Sequence, residues 1–293
     1  MAIDKALLNA LSDSERESVR QLVDKGVKLP PQPAVLDEMN HLLTRGVSDL
    51  RVIGRTISQD PGMVAALFKV TRSPAYRNLQ PLASVDRVLQ ALGINQVYNI
   101  VQAVSLTQAV PAKHNAKAFE AFWVHSRAIA QLAMLIAGRR VTVCNIFPDQ
   151  AYLAGIFHDC GVPVLMQRFP TYCRDMGLDV PGHWTDLAEE DKRFNADHCV
   201  IGYLVARHWH LPDFICNAIR HHHDLRQMGI NHAARTMVAI LLLASRLYDI
   251  DRHMENDEWP DVAAAVAEEL GLHADAMPEF MDEVLDSFHN QGS

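Results

Sequence analysis

Two short segments of this sequence join histidine to aspartate in a way that suits metal binding. In the first, His158 and Asp159 follow an apolar segment rich in small residues, and Gly161 comes two positions later. Neighbouring residues on a helix project about 100° apart, so these two share one ion only where the helix ends, or they serve two adjacent ions. Because Gly161 favours a helix end, the first option is feasible. The alternative is a C-terminal cap, in which the imidazole bonds the last carbonyls and Asp159 faces solvent.

The second segment is a run of three histidines, His221 to His223, followed by Asp224 at the end of an amphipathic stretch. Consecutive side chains point in different directions, so at most two of the three can reach an interior site. We expect His222 or His223 to contact a metal. The alternative is a polar helix end followed by a solvated loop.

Two further histidines, His125 and His198, lie in the helix-like segments FWVHSRAIA and DHCVIGYLV. Their neighbours are apolar, and a buried imidazole requires a hydrogen-bonding or ligating partner. Eight of the 15 histidines lie between His183 and His232, which concentrates imidazole in the second half of the chain. A single histidine in a helix is more often structural, so the grouping carries this argument.

The elements that position these residues are predicted to be helices throughout. Apolar residues recur at three and four positions, and alternating segments joined by hairpin turns are not evident, so the sequence predicts an all-α fold. Asp60 before Pro61, and Ser84, are predicted helix caps. A long helix through His125 is predicted to end at Gly138. Further helices are predicted over 34–45, 62–71, 95–110, 150–158, 162–168, 186–194, 197–208, 212–223, 231–248, 260–270 and 277–289.

The polar stretch at 111–117 predicts a boundary, and charge changes again near residue 250. Residues 1–117 carry 14 basic and 10 acidic side chains, whereas 249–293 carry 1 basic and 13 acidic ones. We therefore predict an N-terminal helical lobe over 1–115, a second helical lobe over 116–250 and an acidic C-terminal helical extension over 251–293.

Composition narrows the class of protein. With 293 residues, 49% of them hydrophobic, the chain can bury a large core. Its apolar runs fall far short of the roughly 20 residues that span a bilayer. Its five cysteines are an odd number without a paired CxxC motif, which predicts small buried side chains and a cytoplasmic location. A net charge of −8 disfavours nucleic-acid binding, for which five arginines of the first lobe are the candidates: Arg45, Arg51, Arg55, Arg72 and Arg77.

The order of several motifs resembles the HDOD family, a signalling relative of the HD and HD-GYP metal phosphohydrolases. The first-lobe motifs are KLPPQPAVLDEM, ISQDPGMVAALFKVTRSPAY and LASVDRVLQALGINQV, and the second-lobe motifs are FWVHS, LAGIFHDCG and HWHLPDFICNAIRHHHD. The resemblance runs from Leu29 to about Tyr248. It implies two helical lobes, the second containing an HD-type helical bundle, in a bacterial regulator. The positions that match metal ligands of HD-GYP enzymes are His125, His158, Asp159, His198, His222 and His223.

The sequence also departs from the enzyme pattern. Val162 follows Gly161 where HD-GYP enzymes usually have lysine, and no GYP motif follows the triple histidine. The late aspartate that completes active sites aligns with Ser245, and Asp249 is one helical turn away as a possible substitute. Imidazole and carboxylate ligands are compatible with iron, manganese or zinc.

These observations favour a signal-transduction output module that acts by binding signalling proteins or a small ligand through the cleft between the lobes and has a degenerate HD metal site. The alternative is a metal-dependent phosphohydrolase of unusual ligand set, in which Asp159 would be the catalytic residue and metal would acidify water and neutralise phosphate. We do not expect a membrane partner. Nucleic-acid binding ranks third.

Overall fold

A computed structural model describes residues 13–24, 26–76, 82, 84–110, 115–178, 180, 184–195, 197–225, 233–256 and 259–290. Within these residues the chain forms helices and turns and no strand, so the predicted all-α fold is confirmed. Arg77, His183 and His232, named above, lie outside the described residues.

The first part of the chain is a series of helices, three of which begin at side-chain caps, Asp49, Asp60 and Ser84. Asp60 accepts a hydrogen bond from Met63 N at 3.0 Å, and Ser84 accepts one from Arg87 N at 3.3 Å. Both caps agree with the sequence-based prediction, because capping depends only on neighbouring residues. The helices are α1 (Asp13–Asp24), α2 (Ala34–Thr44), α3 (Leu50–Ser58), α4 (Pro61–Thr71), a 3₁₀ turn (Pro74–Tyr76), α5 (Val85–Leu92) and α6 (Ile94–Ala109).

The second part is built on one long helix, α7. This helix continues to Cys144, so the predicted end at Gly138 is wrong. Gly138 is an ordinary helical position, and the helix ends instead where Asn145 adopts a left-handed conformation with φ 51°. The helices are α7 (Ala116–Cys144), α8 (Pro148–Phe157), α9 (Gly161–Arg168), α10 (Tyr172–Asp175), α11 (Leu187–Phe194), α12 (His198–His208), α13 (Asp213–Arg220) and α14 (Ala233–Asp251).

The C-terminal part comprises α15 (Trp259–Glu269), a 3₁₀ turn (Ala274–Ala276) and α16 (Met277–His289). Arginines of α7 hold it in place by bonding its backbone. Arg140 donates to the carbonyl oxygens of Leu270 and Gly271 at 2.9 and 2.7 Å, and Arg139 donates to that of Glu283 at 3.2 Å. The two bonds from Arg140 satisfy carbonyls just past the end of α15, which the helix leaves without partners, whereas Glu283 lies within α16.

Helices α6, α7, α8 and α14 pack together, and one contiguous apolar core contains residues from both sides of the predicted boundary at 115 and 116. Trp209 joins the two sides, since its Nε1 donates to Pro30 O at 3.0 Å and its carbonyl accepts from Gln102 at 3.0 Å. The division at 1–115, 116–250 and 251–293 stays a prediction. Within the described residues, no helix combines the length and apolar composition needed to cross a bilayer.

Candidate metal centre

Asp159 lies at the centre of a buried group of imidazoles. Its Oδ1 is 3.0 Å from His222 Nε2 and 3.3 Å from His198 Nε2. Its Oδ2 is 3.0 Å from His158 Nε2. All four side chains are buried. The structure therefore brings residues from three separate places in the sequence around one carboxylate.

Two of these histidines also cap the helices that precede them. Helix α8 ends at Phe157, and Nδ1 of His158 lies 2.7 Å from the Gly155 carbonyl oxygen. In the same way, Nδ1 of His222 lies 2.7 Å from the Ile219 carbonyl oxygen. A carbonyl can only accept, so Nδ1 carries the hydrogen in both rings and Nε2 is left to face Asp159. Capping and a place in the cluster are thus compatible, whereas the alternative of a solvent-facing Asp159 is wrong, because that residue is only 2% exposed.

The helix predicted over 212–223 ends earlier than predicted, because a histidine side chain caps it. It stops at Arg220, and His221 to His223 form a turn. The His222 side chain bonds the Ile219 carbonyl that a continuing helix would use. This early end is what turns His222 inward.

Close backbone packing places His198 beside Asp159. A Cβ on Gly161 would lie 2.1 Å from the His198 carbonyl oxygen, so only glycine fits at this contact. Gly161 begins α9, and its φ is not in the left-handed region. Glycine is therefore required here because α9 and α12 approach each other closely. The sequence-based expectation gave Gly161 only a role in ending a helix and did not include this contact.

His125 and His223 lie at the edge of the cluster, and both are partly exposed. The His125 ring centre is 6.1 Å from that of His158, between Trp184 at 4.2 Å and Tyr248 at 4.5 Å. His223 Nε2 lies 3.1 Å from His198 Nε2. Two lone pairs at that separation repel, so the pair requires either a shared hydrogen or a cation.

The possible ligands form two adjoining sets, each with its ligand atoms within 4.8 Å of one another. One set is His125, His158 and Asp159, and the other is His198, Cys199, His222 and His223. Cys199 is a poor ligand here, because its sulfur lies 3.8 Å from Nδ1 of His222, on the side away from Asp159. Burial also raises the pKa of the Cys199 thiol to about 11.

The cluster fits a metal ion by a direct observation. Asp159 Oδ1 and His222 Nε2 are 3.0 Å apart, yet neither atom has a hydrogen-bond partner among the described residues. Two ligand atoms that each lie about 2.1 Å from one ion are about 3.0 Å apart when their bonds to it meet at a right angle. Buried polar atoms without partners are costly, and a cation between them removes that cost.

The electrostatics of the cluster also suit a cation. Burial lowers the pKa of His222 to about 3, helped by His223, so its Nε2 lone pair is available at neutral pH. Burial likewise lowers the pKa of His125 to about 3. Burial alone would raise the pKa of Asp159, but His158 and the other imidazoles hold that pKa well below its usual range. The cluster therefore offers an ionised carboxylate beside two neutral imidazoles, those of His125 and His222.

His198 behaves differently. Burial lowers its pKa, but the carboxylates of Glu190 and Asp159 outweigh that effect and hold the pKa well above its usual range. A proton on this ring supplies positive charge between two buried carboxylates. Metal binding would displace it, since a histidine ligand must be deprotonated.

The replacements expected for the late aspartate lie near the cluster but outside both ligand sets. Ser245 and Asp249 line the same cavity as His158 and His222. Asp249 accepts a hydrogen bond from Asn256 at 2.6 Å, which engages one carboxylate oxygen. Val162, which follows Gly161 where HD-GYP enzymes usually have lysine, is fully buried.

A cavity of about 1090 Å³ opens onto the cluster. Its lining runs from Asn115 to Val262, so the cavity belongs to the second part of the chain and its C-terminal part. This cavity therefore does not lie between the two predicted lobes, and the expectation of a binding cleft between them stays a prediction. Lys117 and Arg174 contribute basic groups, and Trp184, Tyr248 and Trp259 contribute aromatic ones.

Sequence reasoning missed three side chains that hold the cluster. Trp184 Nε1 donates to Asp159 Oδ2 at 2.9 Å. Glu190 accepts from His198 Nδ1 at 2.8 Å, and Tyr172 donates its hydroxyl to the same carboxylate. Glu190 lies in the charged segment LAEEDKRF, which has the pattern of a solvated helix, so no local signal marks it.

The fold and the site together define an all-helical protein in which helix ends bring histidines to a buried aspartate. A sequence model of the HDOD domain matches residues 29–225, and the chain belongs to the HDOD family. A relative in Treponema pallidum (strain Nichols), named only "Uncharacterized protein", is 22% identical over 209 residues. That match covers 70% of this chain and 39% of the relative, so the relative is much longer.

Solved structures of similar fold come from several bacteria. A "Putative metal-dependent phosphohydrolase" from Shewanella amazonensis SB2B has a TM-score of 0.68 at 18% identity, covering 94% of this chain and 100% of that chain. A "Putative signal transduction protein" from Marinobacter aquaeolei VT8 has a TM-score of 0.67 at 22% identity, covering 99% and 68%. An HDOD domain protein with unknown function from Geobacter sulfurreducens has a TM-score of 0.64 at 20% identity, covering 94% and 97%. At these identities the similarity shows the fold.

Proposed function

We propose that this protein is a signal-transduction output module of the HDOD type that holds a divalent ion at Asp159 and binds a small ligand or a protein segment in the adjoining cavity. The observation that carries the proposal is the unpartnered pair Asp159 Oδ1 and His222 Nε2, buried where a cavity of about 1090 Å³ begins. A site that is buried, polar and open on one side suits recognition of a ligand in contact with the ion.

The ligand set favours binding over turnover. Asp159 is the only carboxylate in the two ligand sets of the described residues. Asp249 is engaged by Asn256, and the position after Gly161 carries a buried valine in place of a cation. The centre therefore lacks the second acidic ligand and the phosphate-steadying lysine that the enzyme pattern supplies, which is why we regard it as degenerate.

Each residue of the cluster would have its own role in holding the ion. His158, His198 and His222 present Nε2, Asp159 contributes Oδ1, and His125 and His223 lie at the edge next to the cavity. Iron, manganese and zinc all accept this donor set. A bound divalent ion would supply Lewis-acid attraction for an anionic group of the ligand.

The test combines elemental analysis with a substrate panel. We expect about one equivalent of iron, manganese or zinc in the purified protein, lost in Asp159→Ala and kept in Asp249→Asn. Cyclic dinucleotides, nucleotides and a generic phosphodiester should not be hydrolysed above background. Metal-free protein, or a variant that retains full metal content without Asp159, would contradict the proposal.

The alternative function is a metal-dependent phosphohydrolase, with Asp159 as the catalytic residue. It is favoured by one observation, that both His158 and Asp159 line the cavity, where a substrate phosphate could reach them. Turnover that requires metal, disappears in His158→Ala and persists in His208→Gln would establish this alternative. A blank panel with stoichiometric metal supports the output module instead.

The partner is therefore proposed to be a signalling protein or a small ligand, with no membrane partner. Nucleic acid remains the least favoured class, since the acidic chain carries no basic stripe along a described helix. A gel shift at low salt that weakens as salt rises would favour nucleic acid instead.

A further inference from the structure

Glu190 is a fully buried carboxylate on α11, with 0% exposure. Its Oε2 accepts two hydrogen bonds from His198, one from the backbone N and one from the ring Nδ1, each at 2.8 Å. Its Oε1 accepts the hydroxyl hydrogen of Tyr172. The Glu190 carboxylate therefore accepts its hydrogen bonds from His198 and Tyr172.

The neighbouring acidic residue behaves in the ordinary way. Glu189 lies at the surface and pairs with Lys192 and Arg193 of its own helix. Burying a carboxylate costs several kcal/mol unless strong partners compensate. Among the described residues, no lysine or arginine pairs with Glu190, so His198 is the partner that accounts for its burial.

We propose that Glu190 is a positioning residue for the metal centre. By accepting the Nδ1 hydrogen of His198, it fixes the ring so that Nε2 faces Asp159, 3.3 Å from Oδ1. A carboxylate behind a histidine ligand also strengthens the opposite nitrogen as a donor. This inference rests on the proposed metal site and adds the residue that orients one of its ligands.

His198 differs in this respect from the two other buried histidines. His158 and His222 are held by backbone carbonyls of Gly155 and Ile219, which substitution does not remove. His198 is held by a side chain that also carries a charge. The carboxylates of Asp159 and Glu190 both contact His198. The two positive charges of one divalent ion would balance the two negative charges of these carboxylates.

The first experiment measures metal affinity by competition with a chelator, using Zn²⁺ and Mn²⁺. Glu190→Gln keeps an acceptor of the same shape and removes the charge, and we expect its Kd to rise about 10- to 100-fold. Glu189→Gln, one position earlier at the surface, should stay within about threefold of wild type. Tyr172→Phe, which removes a bond to the same carboxylate but leaves His198 untouched, should also change Kd less than Glu190→Gln.

The second experiment observes the imidazole directly in metal-free protein labelled with ¹⁵N-histidine. The His198 signals are assigned as those missing in His198→Gln. We expect a protected, strongly downfield Nδ1 hydrogen in wild type, which moves upfield in Glu190→Gln because a neutral acceptor bonds it less strongly. A role limited to packing would leave this signal in place.

These outcomes separate the positioning role from the proposed function. If wild-type protein binds no metal, the proposed metal site fails, while the ¹⁵N experiment still tests the contact with Glu190. A Glu190→Gln Kd within about threefold of wild type, or a His198 ring without an Nδ1 hydrogen in metal-free wild type, would overturn the positioning role.

Discussion

The region before residue 110 and the region from 116 to 251 bury polar side chains in different ways. In the first region, two buried hydroxyls return to their own helix, Thr56 to the Val52 carbonyl and Thr71 to the Phe68 carbonyl. In the second region, buried charged groups face one another across helices, as Asp159, Glu190 and His198 do. Polar groups satisfied within one helix stabilise that helix, whereas groups that converge from several helices mark a site.

The comparison predicts that adding one methyl group at a glycine lowers the stability of the two regions by different amounts. Gly161→Ala places a Cβ 2.1 Å from a backbone carbonyl oxygen, and we expect it to lower the free energy of unfolding by about 3 kcal/mol or more. Gly54→Ala, in the first region, meets the movable Asp86 side chain at 2.4 Å and should cost less than about 1 kcal/mol. Urea unfolding of both variants makes the measurement. Equal costs would show that the second region packs no more tightly at this point.

The next prediction concerns the central carboxylate. Asp159→Asn should weaken binding of Zn²⁺ or Mn²⁺ at least about 100-fold, or about 2.7 kcal/mol, because the ion loses its charged ligand. Asp149→Asn is a matched control, since Asp149 is also buried but hydrogen-bonds Asn99 at 2.7 Å. The control should keep its metal. Loss of metal in both variants would instead point to a general effect on the fold.

The third prediction concerns acid. His222 has a pKa of about 3 in the folded protein and about 6.5 when unfolded, so between these values the unfolded chain binds a proton that the folded chain does not. Stability contributed by neutral His222 is thus present above pH 6.5 and is lost as pH falls, by about 2 kcal/mol at pH 5. The raised pKa of His198 leaves its own contribution complete over this window, because both of its states are protonated below 6.5.

Metal-free wild type and His222→Gln should be compared by urea unfolding at pH 7 and pH 5. The variant should lose about 2 kcal/mol less than wild type on acidification. His41→Gln, at an exposed position of the first region, should keep the wild-type loss. An acid response unchanged in His222→Gln would contradict the assignment of this ring as neutral and buried.

The smallest effect is expected for a tryptophan change made in two places. Trp184→Phe removes the bond to Asp159 and should weaken metal binding about 10-fold, or about 1.4 kcal/mol. Trp209→Phe removes a bond to the Pro30 carbonyl and should lower stability by about 1 kcal/mol without changing metal affinity. Chelator competition and urea unfolding on both variants distinguish the two effects. Equal metal affinities in the two variants would contradict a supporting role for Trp184.

The sequence predicts features that depend on near neighbours. The caps at Asp60 and Ser84 are examples, since each is satisfied within three residues. The grouping of His158 with His198 and His222 was also predicted, because residue types and their order carry that information through the family resemblance. Contacts between distant parts of the chain then determine the distances between these side chains.

Features set by distant contacts escaped prediction. The length of α7 beyond Gly138 is one example, since its last turns are bonded through Arg139 and Arg140 to the C-terminal part, more than 100 residues away. The burial of Glu190 is another, because its surrounding segment has the composition of a surface helix. The location of the cavity depends on residues near 115, 184 and 256 meeting in space, which no local pattern reveals.

One wall of the cavity lies outside the part of the chain that matches the shared domain. Residues 254–256, Trp259 and Val262 line it, and all of them lie beyond residue 225, where the match to the shared domain ends. The histidines of the cluster therefore lie within the matched domain, whereas this wall lies outside it. Substitutions in the wall change the shape of the cavity entrance without touching the histidines of the cluster, so the proposed ligand selectivity and the proposed metal centre can be altered separately.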